Sequence, residues 1–594
     1  MNPVAEYQRR LAERSTVAER EQKQFRAIGN ARLGTGIAGV IVAFFIFGET
    51  VLSPWWLAIP AAAFSVLVVI HTRVVDRLER AQRSVGFYQR GLARLENRWI
   101  GTGETGERFR NPSHVYEEDL DLFGKGSLFE LLCTARTRAG EDTLARWLLA
   151  PASRDEAAQR QQAIAELRSR LDLREDLAVL GDAIRSGIDP EVAARWGKAE
   201  LVHFPPGAPF IAAILAAAVV ITFSLYMASL TTRTPFLGAL LLTLGYGFFL
   251  GSRTLAVAKT VNSPARDLAV LVTLLHRLES DHFDAPLLQR LQQELGASGL
   301  IASSQIGKLQ RLVARLDWQR NIFFTPIAMA ILWSAQIAMA IERWRRLSGR
   351  HISEWISVVG QFEALVALSG YSFEHPHDSF PDLLDAPGGR LDAQGLRHPL
   401  MRESQCVPND VRLGGDLRLL IVSGSNMSGK STLLRAVGLN LVLAWAGAPV
   451  RAQRFAVSPL RVGASIRVMD SLQDGKSRFY SEITRLREIV NLASGDRTVL
   501  FLLDELLSGT NSHDRKIGAE AIVRSLIDRG AIGIITTHDL ALAHIADDLP
   551  GRAANVHFAD TLENGQLHFD YQLMPGIVER SNALDLMRSV GLEV

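Results

Sequence analysis

Leu419-Leu420-Ile421-Val422-Ser423-Gly424-Ser425-Asn426-Met427-Ser428-Gly429-Lys430-Ser431-Thr432 is the stretch on which the fold turns. An apolar, strand-like run leads into G-x-x-x-x-G-K-S, and Thr432-Leu433-Leu434-Arg435 opens a helix-like segment. A phosphate-binding loop needs this order: a strand, a glycine-rich turn whose N–H groups point inward, and a helix N-terminus with its positive dipole end. Lys430 is then the residue that reaches the β/γ-phosphates, and Ser431 the one that takes Mg²⁺. Gly424, Ser425, Asn426, Met427, Ser428, Gly429, Lys430, Ser431 and Thr432 are the expected nucleotide contacts, with ATP and Mg²⁺ as cofactors.

Downstream, Thr498-Val499-Leu500-Phe501-Leu502-Leu503 reads as a buried strand ending in Asp504-Glu505. An acid at such a strand end can hold Mg²⁺, so Asp504 is assigned to the metal with Ser431. Glu505 beside it can polarise the attacking water. A third strand, Ile532 to Thr537, ends at His538, which can sense the γ-phosphate or position water. Between these motifs, Asp474-Gly475-Lys476-Ser477 turns into a helix that includes Glu482. Its N-terminus could read a phosphate. A site already enclosed by a full loop has no use for it, so Ser477 is expected to act in trans, on a second subunit. The alternative is an ordinary capped helix. Short β-like runs alternating with helices predict an α/β domain with a parallel sheet.

Upstream the texture changes. Residues 375–399 are rich in Pro, Asp and Gly and mark a boundary. Before it the pattern is helical: Leu128, Leu131, Leu132, Leu144, Leu148 and Leu149 within 116–200, then Leu268, Leu271, Leu275 and Leu278 and on to about Leu368. Four apolar runs interrupt it, 34–52, 55–70, 209–230 and 235–250, as two hairpins with tiny loops. Each is near the ~20 residues that cross a hydrocarbon core. Trp55 and Trp56 sit at a tip, where amphipathic rings favour the interface. The first run starts too far in, and is followed too soon by another, to be a cleaved signal peptide. The competing reading is four buried core helices. Arg9, Arg10, Arg26, Arg32, Arg73, Arg77, Arg80, Arg83, Arg195, Lys198, Arg253 and Lys259 flank the hairpin bases, whereas the tips carry only Arg233. The positive-inside bias therefore places both termini and the α/β domain in the cytoplasm of an inner-membrane, multi-pass protein. A fifth run, Ile322 to Ile341, contains Asn321, Thr325, Ser334 and Gln336 within or beside it and reads as a long helix buried in a soluble core.

Composition excludes several classes. Of the 594 residues 65 are Lys or Arg and 63 Asp or Glu, a net +2, so no global basic field draws nucleic acid. The two cysteines, Cys133 and Cys406, exclude a disulfide scaffold or a cysteine zinc module. At 47% hydrophobic and 22% charged the chain is not disordered.

The motifs together resemble the MutS family of ABC-type ATPases. The Asn426-Met427 pair in the loop, Asp504-Glu505 followed by Gly509-Thr510-Asn511-Ser512, Thr537-His538-Asp539, and Ser477-Arg478-Phe479 through Glu482 carry the likeness. So do Arg397-His398-Pro399 and the tail from Pro575 to Leu584. A weaker likeness to the family's helical core starts at Gly126-Ser127-Leu128 and runs through Pro151. The resemblance implies a homodimer sandwiching ATP, with DNA as ligand, as in mismatch repair. The family's mismatch-reading domain and its Phe-x-Glu wedge have no counterpart: Phe47-Gly48-Glu49 lies in the first apolar run. Cys406 stands where many relatives have an aromatic that stacks on adenine. The expected organisation is an N-terminal helix (1–33), transmembrane hairpin (34–72), helix and linker (73–115), MutS-like core (116–207), second hairpin (208–252), core and lever (253–374), linker (375–396) and ATPase domain (397–594). The alternative function is a membrane-remodelling or transport ATPase with the same engine and no DNA. Arg290, Arg311, Arg315, Arg320, Arg343, Arg345, Arg346 and Arg350 would supply a basic groove if the folded core gathers them on one face.

Overall fold

The computed structural model describes residues 2–48, 52–182, 190–296, 299, 301–386, 388–425, 427–467, 478–563 and 566–578. The chain divides into two compact units. Residues 1–134, 143–175 and 365–594 form the first, and residues 135–142 and 176–364 the second.

The first unit carries two sheets. Six strands lie in the order β10 (Gln566–Pro575), β9 (Ala553–Glu563), β4 (Leu419–Ser423), β8 (Ile532–Thr537), β7 (Thr498–Leu503) and β6 (Leu460–Ser465). All neighbours are parallel except the β9–β10 hairpin. Every residue of β4 and β8 is buried, as expected of strands covered on both faces. On one face Leu486, Ile489, Val523, Leu526 and Leu542 pack against Ile421, Phe501 and Ile535. The helix Lys430–Ala446 follows the glycine-rich turn directly, and fourteen of its residues are buried. A smaller sheet has the order β1 (Asp382–Leu383), β5 (Arg454–Val457), β2 (Arg390–Leu396) and β3 (Asn409–Gly414). Residues 375–396 are therefore no plain linker. They supply β1 and β2, because Leu391 and Ala393 find buried places opposite Val457 and Phe455.

Residues 116–127 are not helical, contrary to the sequence reading, and the helix starts at Leu128. The segment instead lies along the open edge of β6. Val115 O accepts from Ala464 N at 2.8 Å, and Asp119 Oδ1 accepts from Ile466 N and Arg467 N at 2.6 and 2.8 Å. An otherwise unpaired sheet edge is covered in this way.

Also in the first unit, Pro3–Phe47 is one helix of 45 residues, where a charged helix and a separate apolar span were expected. Asn2 starts it by accepting Val4 N, and Pro3 occupies its first turn. The chain returns as Ala58–Leu95. The charged ends of this pair are fixed to neighbouring helices. Arg94 Nε donates to Glu374 Oε2 at 2.8 Å and Tyr7 Oη to Glu374 Oε1 at 3.1 Å. Arg14 makes two bonds to Glu175, at 2.7 and 2.9 Å, and Tyr88 Oη donates to the same carboxylate at 2.6 Å.

The second unit is helical. Ala208–Met227 turns back into Arg233–Ser280, a helix of 48 residues that runs from the apolar hairpin into the helical body without a break. The boundary expected at 252 falls inside it. The 322–341 run is not one long buried helix. Thr325–Ala330 and Trp333–Ser348 are separated at Leu332, whose left-handed φ of 54° breaks the helical path. Ile322, Phe323, Ile327 and Met329 are exposed, whereas Ala335, Ile337 and Ile341 are buried.

Among the described residues five helices are long and apolar enough to cross a membrane by length and composition. The apolar windows of Pro3–Phe47, Pro54–Leu95, Ala208–Met227 and Arg233–Ala269 are only 6%, 6%, 11% and 11% buried, whereas that of Trp333–Glu374 is 89% buried. The first four are not core helices of this chain.

Candidate functional site

The parallel strands direct their carboxyl ends to one edge, where ligands of open α/β sheets bind. The order β4–β8–β7 sets the strand ending at His538 between the glycine-rich turn and the strand ending at Asp504. Asp504 bridges all three. Its Oδ2 accepts from Ser431 Oγ at 2.5 Å and its Oδ1 from Thr536 Oγ1, and its own N–H donates to Ser465 O. Glu505 follows at a left-handed φ of 46°, unusual for a residue with a side chain. Its N–H donates to Thr536 Oγ1 at 3.2 Å, and its Oε1 lies 3.3 Å from His538 Nδ1. Backbone strain held by surrounding bonds is a mark of functional turns.

The turn itself requires its glycines. Gly424 has φ 154° and a Cβ there would sit 2.8 Å from Ser428 Oγ, while Gly429 has φ 101° at the helix start. Lys430 Nζ donates to Gly424 O and Ser425 O at 2.9 and 2.8 Å. Burial lowers the lysine's pKa, opposed by the charges of Glu505 and Asp504. Among the described residues Ser425 Oγ and Ser428 Oγ are buried with no hydrogen-bond partner. Buried donors left unpaired in a cationic turn suit the oxygens of a phosphate. Among the described residues no group of three or more His, Cys, Asp and Glu is placed to hold a metal. One serine and one acid fit an ion that takes its remaining ligands from phosphate and water, as Mg²⁺ does.

A cavity of about 480 Å³ opens beside the turn. Met427, Ser428, Gly429, Lys430, Ser431, Thr432 and Glu505 line it on one side. Leu396, His398, Met401, Cys406, Phe558 and Tyr571 line the other. Cys406 Sγ accepts from His398 N at 3.2 Å. Burial, then the charges of Arg435 and Arg451, pull the His398 pKa down to about 4. Tyr571 was not singled out from sequence. It sits at an irregularity of β10 with φ 54°, and Cδ1 of its ring is 3.3 Å from where a Gly429 Cβ would be. Asn409 pins that bulge, accepting from Leu573 N at 2.7 Å and donating to Tyr571 O at 3.0 Å. Thr536 was missed too, although two threonines closing an apolar strand are a readable signal.

Asn426, the signature-loop residues up to Ser477 and the tail segment Ser581–Leu584 lie outside the described residues. Glu482 is described: it is buried, and its Oε1 accepts from Leu507 N at 2.6 Å, fixing the turn after Glu505. The arginines proposed for a groove are not all available. Arg345 is buried, donating to Glu342 and to the carbonyls of Ala199 and Glu200. Arg290, Arg311, Arg315, Arg343, Arg346 and Arg350 are exposed. The side chain of Arg320 is not among those described.

Residues 420–593 match the family model for MutS domain V. A DNA mismatch repair protein MutS from Natronomonas pharaonis is 34% identical over 261 residues, 43% of this chain and 29% of that protein. An Endonuclease MutS2 from Thermomicrobium roseum is 33% identical over 231 residues, 36% of this chain and 28% of its own length. A DNA mismatch repair protein MutS 2 from Halobacterium salinarum is 36% identical over 213 residues, 34% and 24%. The chain thus spans under a third of each of these relatives, and its C-terminal region is MutS-like.

Proposed function

We propose that this chain is a membrane-anchored MutS-like ATPase that hydrolyses ATP as a homodimer and binds DNA. The observation that carries the chemistry is the bridge from Ser431 through Asp504 to Thr536, with Glu505 paired to His538 beside it. Lys430, Ser425 and Ser428 bind the phosphates of the substrate. Ser431 and Asp504 would hold Mg²⁺, which would supply positive charge against the phosphate oxygens. Glu505 takes the proton of the attacking water, and His538 orients Glu505 and supports its charge. Tyr571, exposed beside the turn, supplies an apolar face for the base, a role that Cys406 cannot fill. Ser477 of one subunit completes the site of the other, so that ATP joins two ATPase domains.

Two apolar hairpins anchor the chain in the inner membrane, with both termini cytoplasmic. The exposure of four apolar helices supports this. DNA binding and a mismatch-repair role are carried over from its MutS and MutS2 relatives. The near-neutral net charge of +2, which gives no global basic field, favours a second reading, a membrane-remodelling or transport ATPase without DNA.

The test is ATP turnover of the detergent-purified chain with duplex, branched and mismatched DNA at several salt concentrations. Glu505→Gln should retain ATP binding and lose about 10²–10⁴-fold in turnover. Near-normal turnover removes Glu505 as the base. Turnover indifferent to every DNA at low salt leaves the second reading. Mixing Ser477→Arg with Lys430→Ala subunits should restore part of the activity, and a mixture as inert as either variant counts against the trans loop.

A further inference from the structure

We infer that residues 318–333 form an interfacial arm that lies in the headgroup layer of the bilayer crossed by the second hairpin. The inference rests on the reading of that hairpin as membrane-spanning.

The arm is fixed at the hairpin's base. Leu332, at its end, clusters with Ala208 and Ala212 at the start of one apolar helix and with Leu250 near the end of the apolar run in the other. A Cβ on Gly247 would sit 2.9 Å from Leu332 Cδ2, so the glycine lets the arm approach closely. These contacts set the arm at the level where the hairpin's apolar surface gives way to the charged helical body.

Its outer surface is apolar without a covering partner among the described residues. Ile322 is 79% exposed and Phe323 86%, and Ile327 and Met329 are also exposed. In the hairpin, Phe248, next to the Gly247 that Leu332 approaches, is itself 91% exposed. Several backbone carbonyls of the arm and its flanks, by contrast, are capped by side chains. Thr325 Oγ1 donates to Gln319 O at 2.7 Å, Gln336 Nε2 to Ile331 O at 2.8 Å, and Trp333 Nε1 to Arg315 O at 2.7 Å. The Trp318 and Trp333 rings stack at 6.1 Å with 3° between planes and close the arm at its two ends. A loop that caps carbonyls with side chains and turns its apolar groups outward suits a boundary between hydrocarbon and water. Tryptophan is favoured at that depth. The helix Ala302–Asp317 leading to it exposes Lys308, Arg311 and Arg315, spaced three and four apart on one face. Cations there complement anionic headgroups, which commits the occupant to lipid rather than to an apolar protein face.

The experiment is spin labelling of the full chain in phosphatidylcholine–phosphatidylglycerol vesicles. Cys133 and Cys406 are replaced by Ser, and one cysteine is introduced as Phe323→Cys, Phe248→Cys or Arg315→Cys. Collision of the nitroxide with oxygen and with a water-soluble nickel chelate is measured. Labels at 323 and 248 should prefer oxygen several-fold over the label at 315, and 323 should lie shallower than 248. A label at 323 that meets nickel freely, or that neither collider reaches, overturns the arm while 248 still reports lipid. In the second case a second copy or another protein covers the patch. Should 248 itself report water, the hairpin reading falls and the arm falls with it. Variants that are not monodisperse in detergent are replaced by Ile327→Cys, which carries the same expectation.

Discussion

The edge of the six-stranded sheet and the outer faces of the four apolar helices obey opposite rules. At the edge, polar atoms are buried and tied to one another, Asp504 to Ser431 and Thr536, Lys430 to the carbonyls of its own turn. On the helices, apolar side chains such as Leu241 and Phe248 lie open. Burial without a partner is costly for a charge, and exposure to water is costly for hydrocarbon. On the proposed reading each region is completed by what its surface suits, a phosphate in the first and lipid in the second.

Lys430→Ala should weaken ATP binding most. Removing one partner of a buried charge pair costs about 2–5 kcal/mol, roughly one and a half to three and a half orders of magnitude in Kd by calorimetry. Unchanged affinity would break the comparison on the side of the sheet edge. Glu374→Ala leaves the Arg94 guanidinium and the Tyr7 hydroxyl without their shared acceptor, at about 3–5 kcal/mol. A lowered melting temperature in detergent, with turnover at 20 °C retained, is the expected result. Leu241→Asp sharpens the other side. In water a substitution at an exposed site moves stability by about 0.5 kcal/mol or less. In lipid an aspartate near mid-span costs about 2.5–3.5 kcal/mol, read as a drop in the alkali-resistant membrane fraction. An unchanged fraction would argue that this helix face meets water.

The smallest effect is on pH. Burial holds the His398 pKa at about 4, below its ordinary value. The unfolded chain therefore binds more protons between pH 4 and 6.5. The stability contributed is full above pH 6.5 and is lost as pH falls towards 4. Between pH 7.5 and pH 5 the loss is about 2 kcal/mol. His398→Gln should flatten that part of the melting-temperature profile, and an unaltered slope would assign the acid sensitivity to another group, such as the buried His375.

Much of the site was legible because its residues are local in sequence. Gly424 to Ser431 and Asp504-Glu505 are contiguous motifs at the ends of apolar runs. Thr536 and Tyr571 were not legible as site residues, since each matters only through a neighbour brought by the sheet. Residues 116–127 misled for a related reason. The helical spacing of Leu128, Leu131 and Leu132 extends the reading back over them, yet Leu120 packs over Gly438, where a Cβ would lie 2.6 Å from its Cδ2. The 322–341 run misled because nothing in its composition announces the left-handed Leu332.

Sequence alone determined the glycine-rich turn, the acids after the second strand, the four long apolar runs and the charge asymmetry at their bases. Each is a property of consecutive residues: backbone freedom, hydrophobic length and charge count. Only the tertiary structure decided that β8 separates β4 from β7, that Asp504 therefore reaches both Ser431 and Thr536, that Arg345 is withdrawn from the surface, and that four apolar helices stay open while a fifth is buried. Those facts depend on which segments become neighbours, and neighbours are chosen by packing and hydrogen bonding between parts of the chain that share no local pattern.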